Sequence, residues 1–233
     1  MSDVPAPARR AGGKQRIPRP AAFRVDALSS WVERTLPTSA EIAAAVARAK
    51  LDQLPMTPTF PDARPSAVLI ALVDGPTGAE VLLTKRSENL RNHRGEISLP
   101  GGRLDPGETP VQAALREADE EVGLAPETVR VHGQLSHRST IASRSYIVPI
   151  VGTLAQRPQL TPHDREVARI LWVPIGDLAS PATFREEWWG APPLDRRMTF
   201  FELDDETIWG ATAAILYELL SIIYGPPNVR TAP

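Results

Sequence analysis

Gly102–Leu124 reads GRLDPGETPVQAALREADEEVGL, a stretch that holds one helix with both of its ends written out. Thr109 is a good N-cap, Pro110 falls at the first helical position, and Gln112 completes a T-x-x-Q capping box. Gly123 supplies the stop, because a glycine readily takes the left-handed conformation that ends a helix. Between these marks Val111, Ala114, Leu115, Ala118 and Val122 share one apolar face. Glu117, Glu120 and Glu121 fall opposite or beside that stripe, at i, i+3 and i+4. Like charges at this spacing destabilise a helix by about 0.2–0.5 kcal/mol per pair. Either the patch is a solvated face, or something positive is meant to sit on it.

Working outward, the helix is preceded by a sharp Pro100-Gly101-Gly102 turn and by the polar run SENLRNHRGEISL. Before that, SAVLIALV (66–73) is short, apolar and β-branched, and GAEVLLTKR (78–86) reads as its hairpin partner across DGPTG. After the helix, VRVHGQL, YIVPIVGTL, RILWVP and MTFFEL read as strands. A final helix is predicted from about Ala211 to Tyr224, with Ala213, Leu216, Leu220 and Ile223 on one side. Upstream, Thr38 and Glu41 form a T-x-x-E box that opens the helix EIAAAVARAKLDQL, whose alanine-rich face predicts packing on the main domain. The Pro-rich linker LPMTPTFPDARP ends it. Strands interleaved with substantial helices indicate an α/β layered domain. The expected organisation is a flexible basic tail over 1–35, a helix and linker over 36–64, one domain over 65–225, and a tail over 226–233.

Composition narrows the function classes. With 26 basic and 28 acidic residues the charges nearly cancel, so neither nucleic acid nor an anionic membrane is an expected partner. The absence of cysteine removes disulfides, thiolate metal sites and a cysteine nucleophile together. The apolar runs are too short or too interrupted to span a bilayer, and the first residues hold no apolar core of a signal peptide. The expected localisation is cytoplasmic. The Pro-, Ala- and Arg-rich opening suits a tail dispensable for chemistry; a transit peptide or nucleic-acid arm is the sharper alternative.

The spacing G-x5-E-x7-R-E-A-x-E-E-x-G-L resembles the signature box of the Nudix hydrolases, a family that cleaves nucleoside diphosphates linked to another group. Gly102, Glu108, Arg116, Glu117, Glu120, Glu121, Gly123 and Leu124 match it. Ala118 stands where the family has a bulky aliphatic residue, and local repacking around it is expected. The resemblance implies a Nudix-type α/β/α sandwich with a mixed sheet. It also implies that Glu117, Glu120 and Glu121 hold Mg²⁺ or Mn²⁺, the hard ions that carboxylate oxygens select. Arg116 would orient the acidic cluster, Glu108 would support it, and Asp119 would stay solvated. Glu120 is a candidate general base and Glu166 a weaker one.

The segment before the box, LLTKRSENLRNHRGEISLPGG (82–102), is similar to the second motif of the coenzyme A pyrophosphatase branch. Leu82, Leu83, Thr84, Arg86, Ser87, Arg91, Gly95, Pro100, Gly101 and Gly102 match; Leu99 replaces a phenylalanine and Glu96 a glutamine. TIASRSYIVPIVG from Thr140 and IWGATAAIL from Ile208 look like the same branch. The resemblance implies a small-molecule substrate, coenzyme A or an acyl derivative. Arg86, Arg91, Gly101 and Gly102 are then its binding residues, since arginine suits bidentate phosphate contacts. His93 reads as structural, and Ser87 and Ser98 lack the partners that would make them nucleophiles. ADP-ribose, dinucleotides or damaged nucleotides are the alternative substrates, and a non-catalytic ligand sensor is the alternative role. A homodimer is common in the family.

Overall fold

The computed structural model describes residues 10–25, 29–31, 36–51, 58, 60–140 and 144–229. Most of the Pro-rich linker (52–57 and 59) and three residues of the TIASRS stretch (141–143) lie outside the described residues. In chain order the elements begin with β1 (Phe23–Val25), β2 (Ser29–Ser30) and α1 (Ser39–Ala49). There follow β3 (Arg64–Gly75), β4 (Gly78–Arg86), β5 (Ile97–Ser98), β6 (Gly101–Arg103) and α2 (Pro110–Val122). After α2 come β7 (Val129–Gln134), β8 (Arg138–Ser139), β9 (Ser145–Leu154) and β10 (Val167–Pro174). The rest is α3 (Ile175–Ala179), β11 (Phe184–Trp189), β12 (Arg196–Glu202), β13 (Thr207–Ile208), α4 (Gly210–Tyr224) and β14 (Asn228–Val229).

These elements form two compact units, Leu36–Ile175 and the pair Met1–Thr35 with Gly176–Pro233. In the first unit the strands run β10-β4-β3-β9-β7, with β5 on β4, β6 on β3 and β8 on β9. β3 and β4 form the predicted hairpin, Leu72 opposite Val81 and Gly75 opposite Gly78. β9 lies parallel to β3 while the other pairs are antiparallel, so the sheet is mixed.

Strand alternation assigns the two faces. Ala67, Leu69, Ala71 and Val73 of β3 join Ala113, Ala114, Ala118 and Val122 of α2 in one core. Ile70 and Leu72, also fully buried, point to the opposite face. There α1 buries Ile42 and Val46 and packs on β7 and β9. Its start is tied to the sheet by the Ser39 amide, which donates to Asp74 Oδ1 at 2.6 Å. Helix, sheet and helix make the α/β/α sandwich that the sequence implies. The capping box of α1 forms as predicted, but the helix stops at Lys50 (φ +49°), short of Leu54.

In the second unit β1-β11-β12-β13 form an antiparallel sheet, and α4 packs on β12. The first sheet ends at β10, and the later strands pair among themselves and with β1. Over 10–25, main chain and side chains bond into this second unit. β11 went unpredicted because FREEWW carries two glutamates that the strand buries, Glu186 and Glu187. None of the described helices is long and apolar enough to cross a membrane.

Candidate active site

α2 is fixed at both ends. Thr109 Oγ1 accepts from the Gln112 amide at 3.3 Å, and Gln112 Oε1 accepts from the Thr109 amide at 2.9 Å. Gly123 (φ +69°) closes the helix with its N–H on Asp119 O at 2.7 Å. On the packed side the residues are small, Ala113, Ala114 and Ala118, so the helix lies close on β3 and β6. This explains the alanine that departs from the family pattern.

That close approach brings the glutamates onto the Gly101-Gly102 turn. The Gly101 amide donates to Glu121 Oε2 at 3.3 Å. A Cβ on Gly102 would lie 2.3 Å from Glu117 Oε1, so only a glycine leaves this carboxylate its place. Gly101 has φ +153°, and a Cβ there would meet Ala67 O at 2.3 Å. Glu121 is 3% exposed, which corrects its expected place beside or opposite the apolar stripe. The buried stripe runs through Ala113, Ala114, Ala118, Glu121 and Val122, and Val111 is exposed. Close packing selected the small edge of the helix over its most hydrophobic edge.

Arg116 organises the carboxylates. Its Nε and Nη2 grip Glu108 at 2.9 and 3.0 Å, and Nη1 reaches Glu117 and Glu120, both at 3.0 Å. Nη2 also donates to Arg103 O at 3.0 Å. The Arg116 fork, helped by the Asp105 amide, holds the Glu108 carboxyl below its usual range. Burial pushes the Glu117 carboxyl up, against the pull of Arg116. Burial pushes Glu121 further, to about 8, with Arg86 and the Gly101 amide opposing and Glu117 and Glu166 adding to the rise. Glu120 and Asp119 are exposed.

Among the described residues no group of three or more acidic or imidazole side chains is arranged to hold a metal ion. Arg116 draws Glu117 and Glu120 to one nitrogen while Glu121 turns inward. The donor set nevertheless suits a hard divalent cation: three carboxylates on adjacent turns, one of them buried and short of compensating charge.

Of the basic residues before the turn, Arg86 joins the site. Its Nη1 is 3.9 Å from Glu121 Oε1, and its Nε is buried without a hydrogen-bond partner. Arg91 is exposed and has no hydrogen bond or ion pair among the described residues. His93 (φ +56°) bonds Glu96 Oε2 through Nδ1 at 2.9 Å, which raises the imidazole above its ordinary value. Arg94 Nε donates to Leu90 O. Loop 87–95 is closed by the Arg86 amide on Glu96 O and the Gly95 amide on Arg86 O.

One contributor escaped the sequence. The segment between β9 and β10 caps the end of α2, its Thr161 amide donating to Val122 O at 3.0 Å and its His163 amide to Glu121 O at 2.8 Å. Main-chain donors leave no motif, so nothing in the residue types announced this. The same segment carries Glu166, whose carbonyl accepts from the Ser87 amide at 2.8 Å.

Residues 63–196 match the family model of the NUDIX domain. The chain belongs to the Nudix family. Among its relatives is the Nudix hydrolase NudL of Photorhabdus laumondii, 37% identical over 158 residues that span 67% of this chain and 83% of that protein. Nudix hydrolase 3 of Caenorhabditis elegans is 33% identical over 175 residues, 67% of this chain and 72% of its own. The crystal structure of the Nudix hydrolase RenU from M. smegmatis is similar over 50% of this chain and 73% of its own, with 30% identity and a TM-score of 0.44. This Nudix chain is thus a pyrophosphohydrolase of a family that generally works with divalent metal ions.

Proposed function

We propose that this Nudix hydrolase cleaves the diphosphate of coenzyme A and of its acyl derivatives. Water is consumed, and the products are adenosine 3′,5′-bisphosphate and 4′-phosphopantetheine or its acyl form. One observation carries the reading: the LLTKRS segment, which resembles the coenzyme A branch, is the segment that delivers a cation to the carboxylates. Arg86 stands beside Glu121 with its side chain partly exposed, placed to meet a phosphate oxygen. Arg91, exposed a few residues on, is available to a second anionic group of the substrate.

Glu117, Glu120 and Glu121 are the residues that would hold Mg²⁺ or Mn²⁺. When bound, such an ion neutralises phosphate oxygens and acidifies water. Arg116 positions Glu117 and Glu120 and is itself anchored by Glu108. The Gly101-Gly102 turn leaves the Glu117 carboxylate its place against the main chain, at the edge where the substrate diphosphate would lie. Water adds in line to one phosphorus as the bridging oxygen leaves with the bond's electron pair. Glu120 and Glu166, both exposed, are the carboxylates open enough to take the proton of that water. The reading includes a cytoplasmic enzyme acting on a small molecule.

A substrate panel tests it. Coenzyme A, ADP-ribose and a dinucleoside polyphosphate are compared by kcat/KM in Mg²⁺ and in Mn²⁺. Coenzyme A should lead, and Arg86→Ala should raise its KM. Preference for ADP-ribose would discard the substrate assignment and leave the family chemistry in place. Binding without turnover in the whole panel would favour a sensor.

A further inference from the structure

Residues 10–25 contain little that would fold by itself, a three-residue strand and otherwise chain without regular structure. Several of their polar groups are nevertheless matched within the second unit. The Arg10 amide donates to Ala182 O at 3.0 Å, and its guanidinium pairs with Asp177 at 3.0 Å. The Gly12 amide donates to Leu203 O at 2.8 Å and the Gly13 amide to Thr207 Oγ1 at 2.9 Å. Gln15 bridges back, its side-chain nitrogen to Glu206 and its oxygen accepting from the Thr207 amide at 3.2 Å. Further along, the Gly190 amide donates to Ala22 O at 2.9 Å, and β1 pairs with β11.

The most telling contact is Arg19. Its Nε and Nη2 approach Glu187 at 2.9 and 2.7 Å, and the Glu187 side chain is 1% exposed. Arg185 and the Trp189 indole N–H are the carboxylate's other partners. A buried carboxylate is tolerated only with its charge compensated and its lone pairs filled, and here half of that comes from a residue 168 positions away in sequence. The fit is also steric. Gly12 has φ +72°, and a Cβ on Gly13 would lie 2.7 Å from Glu206 Cα. A tail selected for general basic composition needs neither an atom-scale fit nor a buried partner.

We propose that residues 10–25 are a strap that completes the second unit, with Arg19 as its latch on Glu187. The unit's sheet and α4 then depend on a segment that comes before the whole of the first unit in the chain. The segment is structural and not a dispensable tail.

The test is peptide-resolved hydrogen exchange on the full chain, comparing wild type, Arg19→Met and Arg16→Met. Arg16 is exposed and serves as the control for lost positive charge. In Arg19→Met, exchange in 184–189 and 196–209 should quicken by about tenfold or more, the consequence of taking away half of a buried carboxylate's partners. Peptides from β3 should keep wild-type protection in the same sample. Complete loss of protection in 184–209 of Arg19→Met, with β3 still protected and Arg16→Met unchanged, would be the same result in stronger form. Exchange in 184–209 within about twofold of wild type would overturn the proposal. So would an equal loss of protection in β3, because the strap would then not be specific to its unit.

Discussion

Glu121 shows how far one side chain departs from its surface reading. Its folded pKa lies at about 8 against an ordinary value of 4.5, because burial disfavours the charge. A carboxyl with a raised folded pKa binds more protons in the native state than in the unfolded one across that window. The metal-free protein should therefore lose stability as pH rises from about 4.5 to about 8 and level off above. Thermal melts across this range should show the slope, and Glu121→Gln should flatten it. On the proposed reading a divalent ion competes with the proton for the same oxygens, and added Mn²⁺ should then restore Tm most near pH 8. Gly102 makes a second prediction at this scale. Gly102→Ala drives a methyl into the Glu117 carboxylate, so hydrolysis should fall by about tenfold or more, as misplaced catalytic groups do. Far-ultraviolet circular dichroism should stay unchanged.

At the scale of the element, α2 is the part most openly written in the sequence. Its cap, its first-turn proline and its glycine stop were all legible, because each acts through neighbours three or four residues away. Thr109→Ala should thus lower stability by about 1 kcal/mol, readable as a shift in the denaturant midpoint at unchanged slope. What α2 presses against was less legible. The helix wheel put Val111 inward and Glu121 away from the stripe, whereas a small-residue edge meets the sheet. β11 was hidden for a related reason, since Glu186 and Glu187 break the apolar alternation that announces a strand. Their partners Arg19, Arg185 and Arg197 lie on the same strand or elsewhere in the fold, and single-segment patterns do not report pairings. The site divides the same way. Arg116 and the glutamates follow from spacing on one helix, while the Thr161 and His163 amides come from a segment with no motif at all.

At the scale of the molecule, contacts report what composition does not. Residues 10–25 of the Pro-, Ala- and Arg-rich opening bond into the second unit, and the Arg19→Met exchange experiment tests whether that unit depends on them. Family membership sets the reaction class, and coenzyme A is the substrate proposed for it. The decisive measurement is incubation with coenzyme A and Mg²⁺ or Mn²⁺, products identified by mass spectrometry, with Glu120→Gln alongside. Glu120 is exposed, so its replacement should leave stability within about 0.5 kcal/mol of wild type. Wild type should yield adenosine 3′,5′-bisphosphate and 4′-phosphopantetheine, and the variant almost none. Intact coenzyme A beside readily cleaved ADP-ribose, or equal product from Glu120→Gln, would contradict the proposed reaction.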